Sequence, residues 1–278
     1  MVLYKCLQQD RLDVLERRRI RFTQPGDFND PFEFRPFIER VATDEGLRKY
    51  VGDNFERLVD EELAKYGALV SFVPQAPLKA LLQSQKARLP ELFRLLESEA
   101  LQKVSPAIDS LLNTMLGVLC LSKVMDSLLM WGHYADNHQG FVVGFDSDHS
   151  FFNQRRTEQD EFGFLRRVNY VVRRPRVVLS DTSSPVWFQS KPKQWAYEKE
   201  WRIVRVLAEA EQRIERIPFP VCLFQFPAEA VVKIIIGMRS PAAVKTKIRS
   251  LAATFPRAAL LQAREDPCDY RLKIEKAA

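Results

Sequence analysis

The chain has 278 residues, enough for one large domain or two small ones, with 46% hydrophobic and 28% charged residues. These are ordinary globular values, so composition excludes a disordered or fibrous chain. The net charge of +6 permits contact with polyanions without requiring it.

Val2–Cys6 reads as a short strand, Gln9–Arg18 as a helix through Leu12 and Leu15, and Arg19–Thr23 as a second strand. Turn formers Pro25-Gly26-Asp27 follow, then FNDPFEF over Phe28–Phe34. Proline holds the residue before it extended, so Asn29-Asp30-Pro31 marks a turn. Its phenylalanines suit a core. Asn29 and Asp30 lie on a loop after a strand, where polar groups meet ligands, although backbone capping also accounts for them.

From Asp44 to Met115 the pattern is mostly helical, with Phe55, Val59, Leu63 and Tyr66 on one face and Pro77 and Pro90 near helix starts. Ser71-Phe72-Val73 fits either a short strand or a buried linker. With no long flexible linker on either side, the expectation is a single domain, 1–278, carrying a helical insertion or cap at about 44–116. Gly117–Ser122 predicts a strand, Met125–Ala135 a helix and Gly140–Asp146 another strand. Val168–Val172, Trp201–Val206, Cys222–Phe226, Val231–Ile236, Ala258–Leu261 and Tyr270–Ile274 complete the strands. A helix-rich first half and a strand-rich second half predict an α+β fold.

Ten glycines and the absence of G-x-G-x-x-G or P-loop patterns speak against a glycine-rich nucleotide loop. The 4 cysteines and 3 histidines have no metal-ligand spacing, so no metal is predicted. The start of the chain lacks a secretory apolar region, and no apolar run approaches the ~20 residues of a membrane span. The expectation is a cytoplasmic protein with reduced thiols and no membrane contact.

The segment KQWAYEKEWRIV, Lys193–Val204, carries most of the chemistry. Read as a strand, it puts Glu198 and Glu200 on one face about 7 Å apart, with Arg202 on the same face. Trp195, Tyr197 and Trp201 surround them. This suits a ligand with flat rings and ribose hydroxyls, with Arg202 orienting a carboxylate or holding a phosphate. A surface ion-pair cluster of Lys193 and Lys199 with the two glutamates is the competing reading, which the tryptophans weigh against. Met130, Trp131 and Tyr134 form an aromatic stripe at helical spacing, more often core than cofactor box. As a general base, His133 or His138 needs a carboxylate partner.

Tyr4-Lys5, FNDPFE, M-W-x-H-Y-A-x-x-H-x-G-F from Met130, W-x-Y-E-x-E-W-R from Trp195 and the late Ile235-Ile236-Gly237 together resemble a bacterial family known as domain of unknown function twenty-nine seventy-one. More distantly, an E-x-E entering a late strand is similar to ADP-ribosyltransferases. That second resemblance implies a mixed or antiparallel β core and an NAD-consuming transferase or NAD glycohydrolase. In it Glu200 binds ribose and Glu198 activates the acceptor. Tyr4 or Lys5 takes the first-strand position, and Trp131 or Tyr134 stacks on nicotinamide. Tyr4-Lys5-Cys6 departs from that pattern, whose first strand supplies histidine or arginine, and the middle-strand serine-threonine-serine motif is missing. The implied acceptor is nucleic acid or protein, in antiphage or toxin-type defence. The expected site is Glu198 and Glu200, with Tyr4, Lys5, Asn29, Asp30, Trp131, Tyr134 and Arg202 around the cofactor. The alternatives are a non-catalytic module for nucleic acid or a nucleotide, supported by basic clusters at Arg17-Arg18-Arg19, Arg166-Arg167, Arg173-Arg174 and Arg176, and a nuclease using Asp27, Asp30 and the glutamates.

Overall fold

The structure, a computed structural model, describes residues 1–65, 74–158, 160–181 and 186–277. Tyr66 and Ser71-Phe72-Val73 lie outside the described residues. The strands are β1 (Val2–Leu7), β2 (Arg19–Phe22), β3 (Phe37–Arg40), β4 (Leu116–Ser122), β5 (Phe141–Asp146), β6 (Arg166–Arg167), β7 (Asn169–Val171) and β8 (Arg176–Val178). They continue as β9 (Ser190–Pro192), β10 (Glu200–Val206), β11 (Gln212–Ile214), β12 (Val221–Gln225), β13 (Val231–Ile236), β14 (Ala259–Glu265) and β15 (Leu272–Lys276). The helices are α1 (Asp13–Arg17), α2 (Asp44–Lys65), α3 (Gln75–Ser84), α4 (Leu89–Met115), α5 (Leu128–Tyr134), α6 (Val186–Gln189) and α7 (Ala242–Ala252).

Two compact units are distinguished. One comprises Met1–Arg35, Ser110–Arg174 and Pro185–Ala278; the other comprises Pro36–Asp109 and Pro175–Ser184. In the second unit Val51, Phe55 and Val59 of α2 are buried, with Leu63, Leu82 and Leu89 packed against them. These positions repeat at helical spacing, which puts them on one stripe of α2. There β3 pairs in parallel with β8.

The first unit is built on an eight-stranded mixed sheet in the order β15-β14-β13-β5-β1-β4-β10-β6. All neighbours are antiparallel except β13 and β14, which α7 joins in a β-α-β crossover. The fold is thus mixed α and β, with one such unit inside a largely antiparallel sheet. Alternate residues of the central strands go to opposite faces. Leu3, Val143 and Ile234 belong to one apolar core, shared with Phe22 and Phe224 of the smaller sheet β11-β12-β2. Tyr4, Val142 and Ile235 belong to another, under Met130 and Trp131 of α5. Burial on both faces is why β5 and β13, the latter interrupted only by Lys233, read as apolar runs rather than alternating ones.

The sheet opens at its centre. Strand β1 pairs with β5 along six residues, and β4 with β10 along seven, yet β1 and β4 share the single register pair Tyr4↔Ser122. Elsewhere on that edge Val118 of β4 exchanges backbone hydrogen bonds of 2.9 Å with Thr23. The carbonyl of Cys120, between them, accepts from Lys5 Nζ at 3.1 Å. A backbone acceptor without its ladder partner needs another donor, and the lysine supplies it. The parting of β1 from β4 makes the cavity described next.

Candidate functional site

A cavity of about 220 Å³ lies between β1, β4 and the Phe28–Phe34 turn. Tyr4, Lys5, Asn29, Asp30, Tyr134, Glu198 and Glu200 all line it, as do Glu33, Lys191 and Trp195. The sequence-predicted residues therefore converge, with two placed otherwise. Trp131 is fully buried beneath the sheet face and donates its indole N–H to the Met125 carbonyl at 2.7 Å. Arg202 sits behind Glu200 rather than on the cavity wall.

Each side chain has a local cause for its position. Helix α5 is shorter than the predicted Met125–Ala135. Ser127 caps its start, accepting from Met130 N at 3.4 Å. Its end is forced by three consecutive left-handed residues, Asp136, Asn137 and His138, with φ of 51°, 50° and 71°. Aspartate and asparagine tolerate that region better than most residues. Tyr134, in the last turn, donates to Glu198 Oε1 at 2.7 Å.

Glu198 is not in a strand, contrary to the reading of Lys193–Val204 as one extended segment. Lys193–Glu198 is a 3-10 helix, and Lys199 at φ 44° turns the chain into β10. The Glu198 carbonyl accepts from Ser122 Oγ at 2.6 Å. The two carboxylates converge because a cation draws them together. Lys191 Nζ donates to Glu198 Oε2 at 2.6 Å and to Glu200 Oε2 at 2.8 Å, with Glu33 Oε2 at 3.8 Å. Lys191 therefore takes the place that the competing surface ion-pair reading gives to Lys193 and Lys199, both of which are exposed. The cluster is buried: Glu198, Glu200, Glu33 and Arg202 are each no more than 4% exposed.

The expectation that Glu200 and Arg202 share a face of β10 holds. Arg202 Nε and Nη2 donate to Glu200 at 2.6 and 3.2 Å. Arg202 Nη2 also pairs with Glu33, and Nη1 donates to the Phe188 carbonyl at 3.2 Å. The planar fork is spent on these partners. Tyr170 OH accepts from the Glu200 backbone N–H at 2.8 Å, fixing the start of β10.

Three carboxylates face two cations here, so the cluster carries one negative charge in excess if all are ionised. Burial, reinforced by Glu200, pushes Glu198 above the usual carboxylate range against the pull of Lys191. Burial raises Glu33 likewise, opposed by Arg202 and Lys191. Against the same penalty of burial, Arg202 and Lys191 hold Glu200 well below its ordinary value. The pair of glutamates is thus split: Glu200 is a fixed anion, while Glu198 is disposed to take up a proton, the kind of separation that assigns acid–base roles. Burial, then Glu198, raises the Tyr134 phenol, which stays a hydrogen-bond donor.

The histidines take other places. His133 Nδ1 lies 3.1 Å from Tyr197 OH. His138 stacks on Trp131 with ring centroids 6.2 Å apart, and burial lowers its pKa. Among the described residues neither has the carboxylate partner that a general base requires. Two members of the basic clusters are taken up in local pairs, Arg166 with Glu161 and Arg176 with Glu39. Among the described residues, no group of three or more His, Cys, Asp or Glu is placed to hold a metal ion. Among them, too, no helix is long and apolar enough to cross a membrane.

Sequence reasoning missed Lys191 and Glu33 as site members. Glu33 carried a signal, an acid between Phe32 and Phe34 in an apolar turn. Lys191 carried none, since the pairing of β9 with β7 (Tyr170↔Lys191) brings it in.

Residues 130–203 match the family model described as "Protein of unknown function (DUF2971)", which bears out the first resemblance over that stretch. It contains Tyr134, Lys191, Glu198, Glu200 and Arg202; Tyr4-Lys5 and FNDPFE lie outside it. The comparisons with curated proteins and with solved structures return no match.

Proposed function

We propose that the cavity binds the nicotinamide end of NAD and that the protein cleaves the glycosidic bond, as an ADP-ribosyltransferase or NAD glycohydrolase. The observation that carries this reading is Glu198. It is a buried carboxylate on a cavity wall, held by Tyr134 and Lys191, with its proton affinity raised by burial. At about 220 Å³ the cavity is below the ~300–1,000 Å³ of drug-sized ligand pockets, which supports one end of a dinucleotide as its occupant rather than the whole.

In this scheme the bond between C1′ of the ribose and the pyridinium nitrogen breaks. Its electron pair goes to the nitrogen, releasing neutral nicotinamide. The Glu198 carboxylate stabilises the positive charge that develops on the ribose. Water or an acceptor nucleophile then bonds to C1′, and its proton goes to Glu198, whose raised pKa suits a base. Glu200 is the positioning group. Its bonds to Arg202 and Lys191 hold the ion-pair cluster under Glu198, the reverse of the ribose-binding role expected of it. Lys123 and Lys199, both exposed and joined by a backbone hydrogen bond of 3.1 Å beside Glu198, support a polyanionic acceptor such as nucleic acid. NAD consumption of this kind would suit a toxin or antiphage role.

The test is incubation with NAD, alone and with RNA, DNA or protein acceptors, following free nicotinamide by proton NMR. Release that disappears in Glu198→Gln supports the proposal; no release with any acceptor sinks it.

A further inference from the structure

Most charges around the cavity are paired within the protein. Lys191 is taken by the three glutamates, and Arg21 by Asp27. Two lining residues of opposite sign, Lys5 and Asp30, form no ion pair with the described residues. Lys5 Nζ has one acceptor, the Cys120 carbonyl at 3.1 Å, and keeps two N–H groups in hand. Asp30 is 5% exposed; its Oδ1 accepts from Phe32 N at 2.9 Å, while Oδ2 is buried without a hydrogen-bond partner among the described residues. A buried carboxylate oxygen with no donor is uncommon and unfavourable.

We propose that the cavity selects a dipolar ligand. Asp30 accepts from the uncharged N–H of a ring carboxamide and repels the corresponding carboxylic acid, while Lys5 holds an anionic group such as a phosphate. This rests on the reading that the nicotinamide end of NAD enters the cavity. The discrimination follows from charge. A ring carboxylate would meet Asp30 with no donor to offer and would add negative charge to a wall where Glu33, Glu198 and Glu200 already outnumber Lys191. Rejection by an unpaired buried anion is a stronger filter than a lost apolar contact.

The experiment is calorimetric titration of the full chain with NAD and with its nicotinic-acid analogue, in wild type, Asp30→Asn and Lys5→Gln. The wild type should prefer the carboxamide by about tenfold or more. Asp30→Asn, which replaces an acceptor oxygen by an amide of the same shape, should bring the ratio near unity. Lys5→Gln should weaken both ligands alike and leave the ratio unchanged. A ratio unaltered in Asp30→Asn, a Lys5→Gln effect confined to one ligand, or no binding of either dinucleotide by the wild type overturns the proposal. Circular dichroism of each variant checks its fold, and Asp30→Ala, which also removes the acceptor, must equalise the ratio as well. The chemistry is judged separately. Binding that follows this pattern without nicotinamide release leaves the selectivity standing and removes the transferase reading. Nicotinamide release with an unchanged ratio in Asp30→Asn does the converse.

Discussion

Arg202→Met is the sharpest probe of what holds the site together. Arg202 is 2% exposed and the methionine stem keeps most of its volume, so the change isolates the guanidinium. Three contacts to carboxylates go at once: two to Glu200, at 2.6 and 3.2 Å, and the pair with Glu33. Lys191 is left alone against three buried acids, at 2.6 Å from Glu198, 2.8 Å from Glu200 and 3.8 Å from Glu33. Breaking a buried pair by removing one partner destabilises by about 3–5 kcal/mol, because the remaining charge is buried without compensation. Urea unfolding followed by tryptophan fluorescence should show that loss as a lowered midpoint at constant slope. Adding Glu200→Gln to Arg202→Met should recover part of it, since the stranded charge is gone. Arg202→Lys should fall between, having the charge without the fork. A loss under about 1 kcal/mol in Arg202→Met, or a double variant worse than the sum of the singles, would refute the picture of a charge-compensated cluster.

Three further outcomes are expected. Because the folded-state pKa of Glu200 is depressed, its contribution to stability is full above the unfolded value of about 4.3 and is lost as pH falls through the folded value; acid unfolding of Glu200→Gln should therefore lack that part of the pH dependence. Tyr134→Phe removes a hydrogen bond that lowers the Glu198 pKa, so the Glu198 carboxyl should titrate at higher pH by carbon NMR, with the fold retained. Gly237→Ala should destabilise by about 3 kcal/mol in thermal unfolding, since a Cβ there would meet the His138 and Gly140 carbonyl oxygens at 2.3 and 2.5 Å, both of them backbone.

The strands that are buried on both faces were the legible part of the fold. β1, β5 and β13 announce themselves as mostly apolar runs, broken by Lys5 in β1 and Lys233 in β13, and the sheet places them side by side at its centre. Helix α7 leaves little signal: in AAVKTKIRSLA only Ile248 and Ala252 are buried, too sparse a stripe to stand out. Short strands such as β3, β8 and β9 are fixed by pairing with distant segments, which no local pattern records. At the site, the acidic pair and the polar turn were visible as residue types out of place among aromatics. Their arrangement was not, because it depends on a 3-10 turn ending in left-handed Lys199 and on Lys191, delivered by strand pairing. Trp131 shows the opposite case. Its helical spacing speaks for core, and only the transferase resemblance places it against a ligand; its indole N–H finds a carbonyl inside the protein, which is what buried tryptophan most needs.

The most direct test of the central claim, that Glu198 is the reacting carboxylate and Glu200 its support, is the initial rate of nicotinamide release from saturating NAD in wild type and in Glu198→Gln. The account predicts a fall of about 10²–10³-fold, the usual consequence of removing one group that stabilises developing charge, with the variant as folded as the wild type. Equal rates in the two proteins, or no nicotinamide from the wild type, would contradict it.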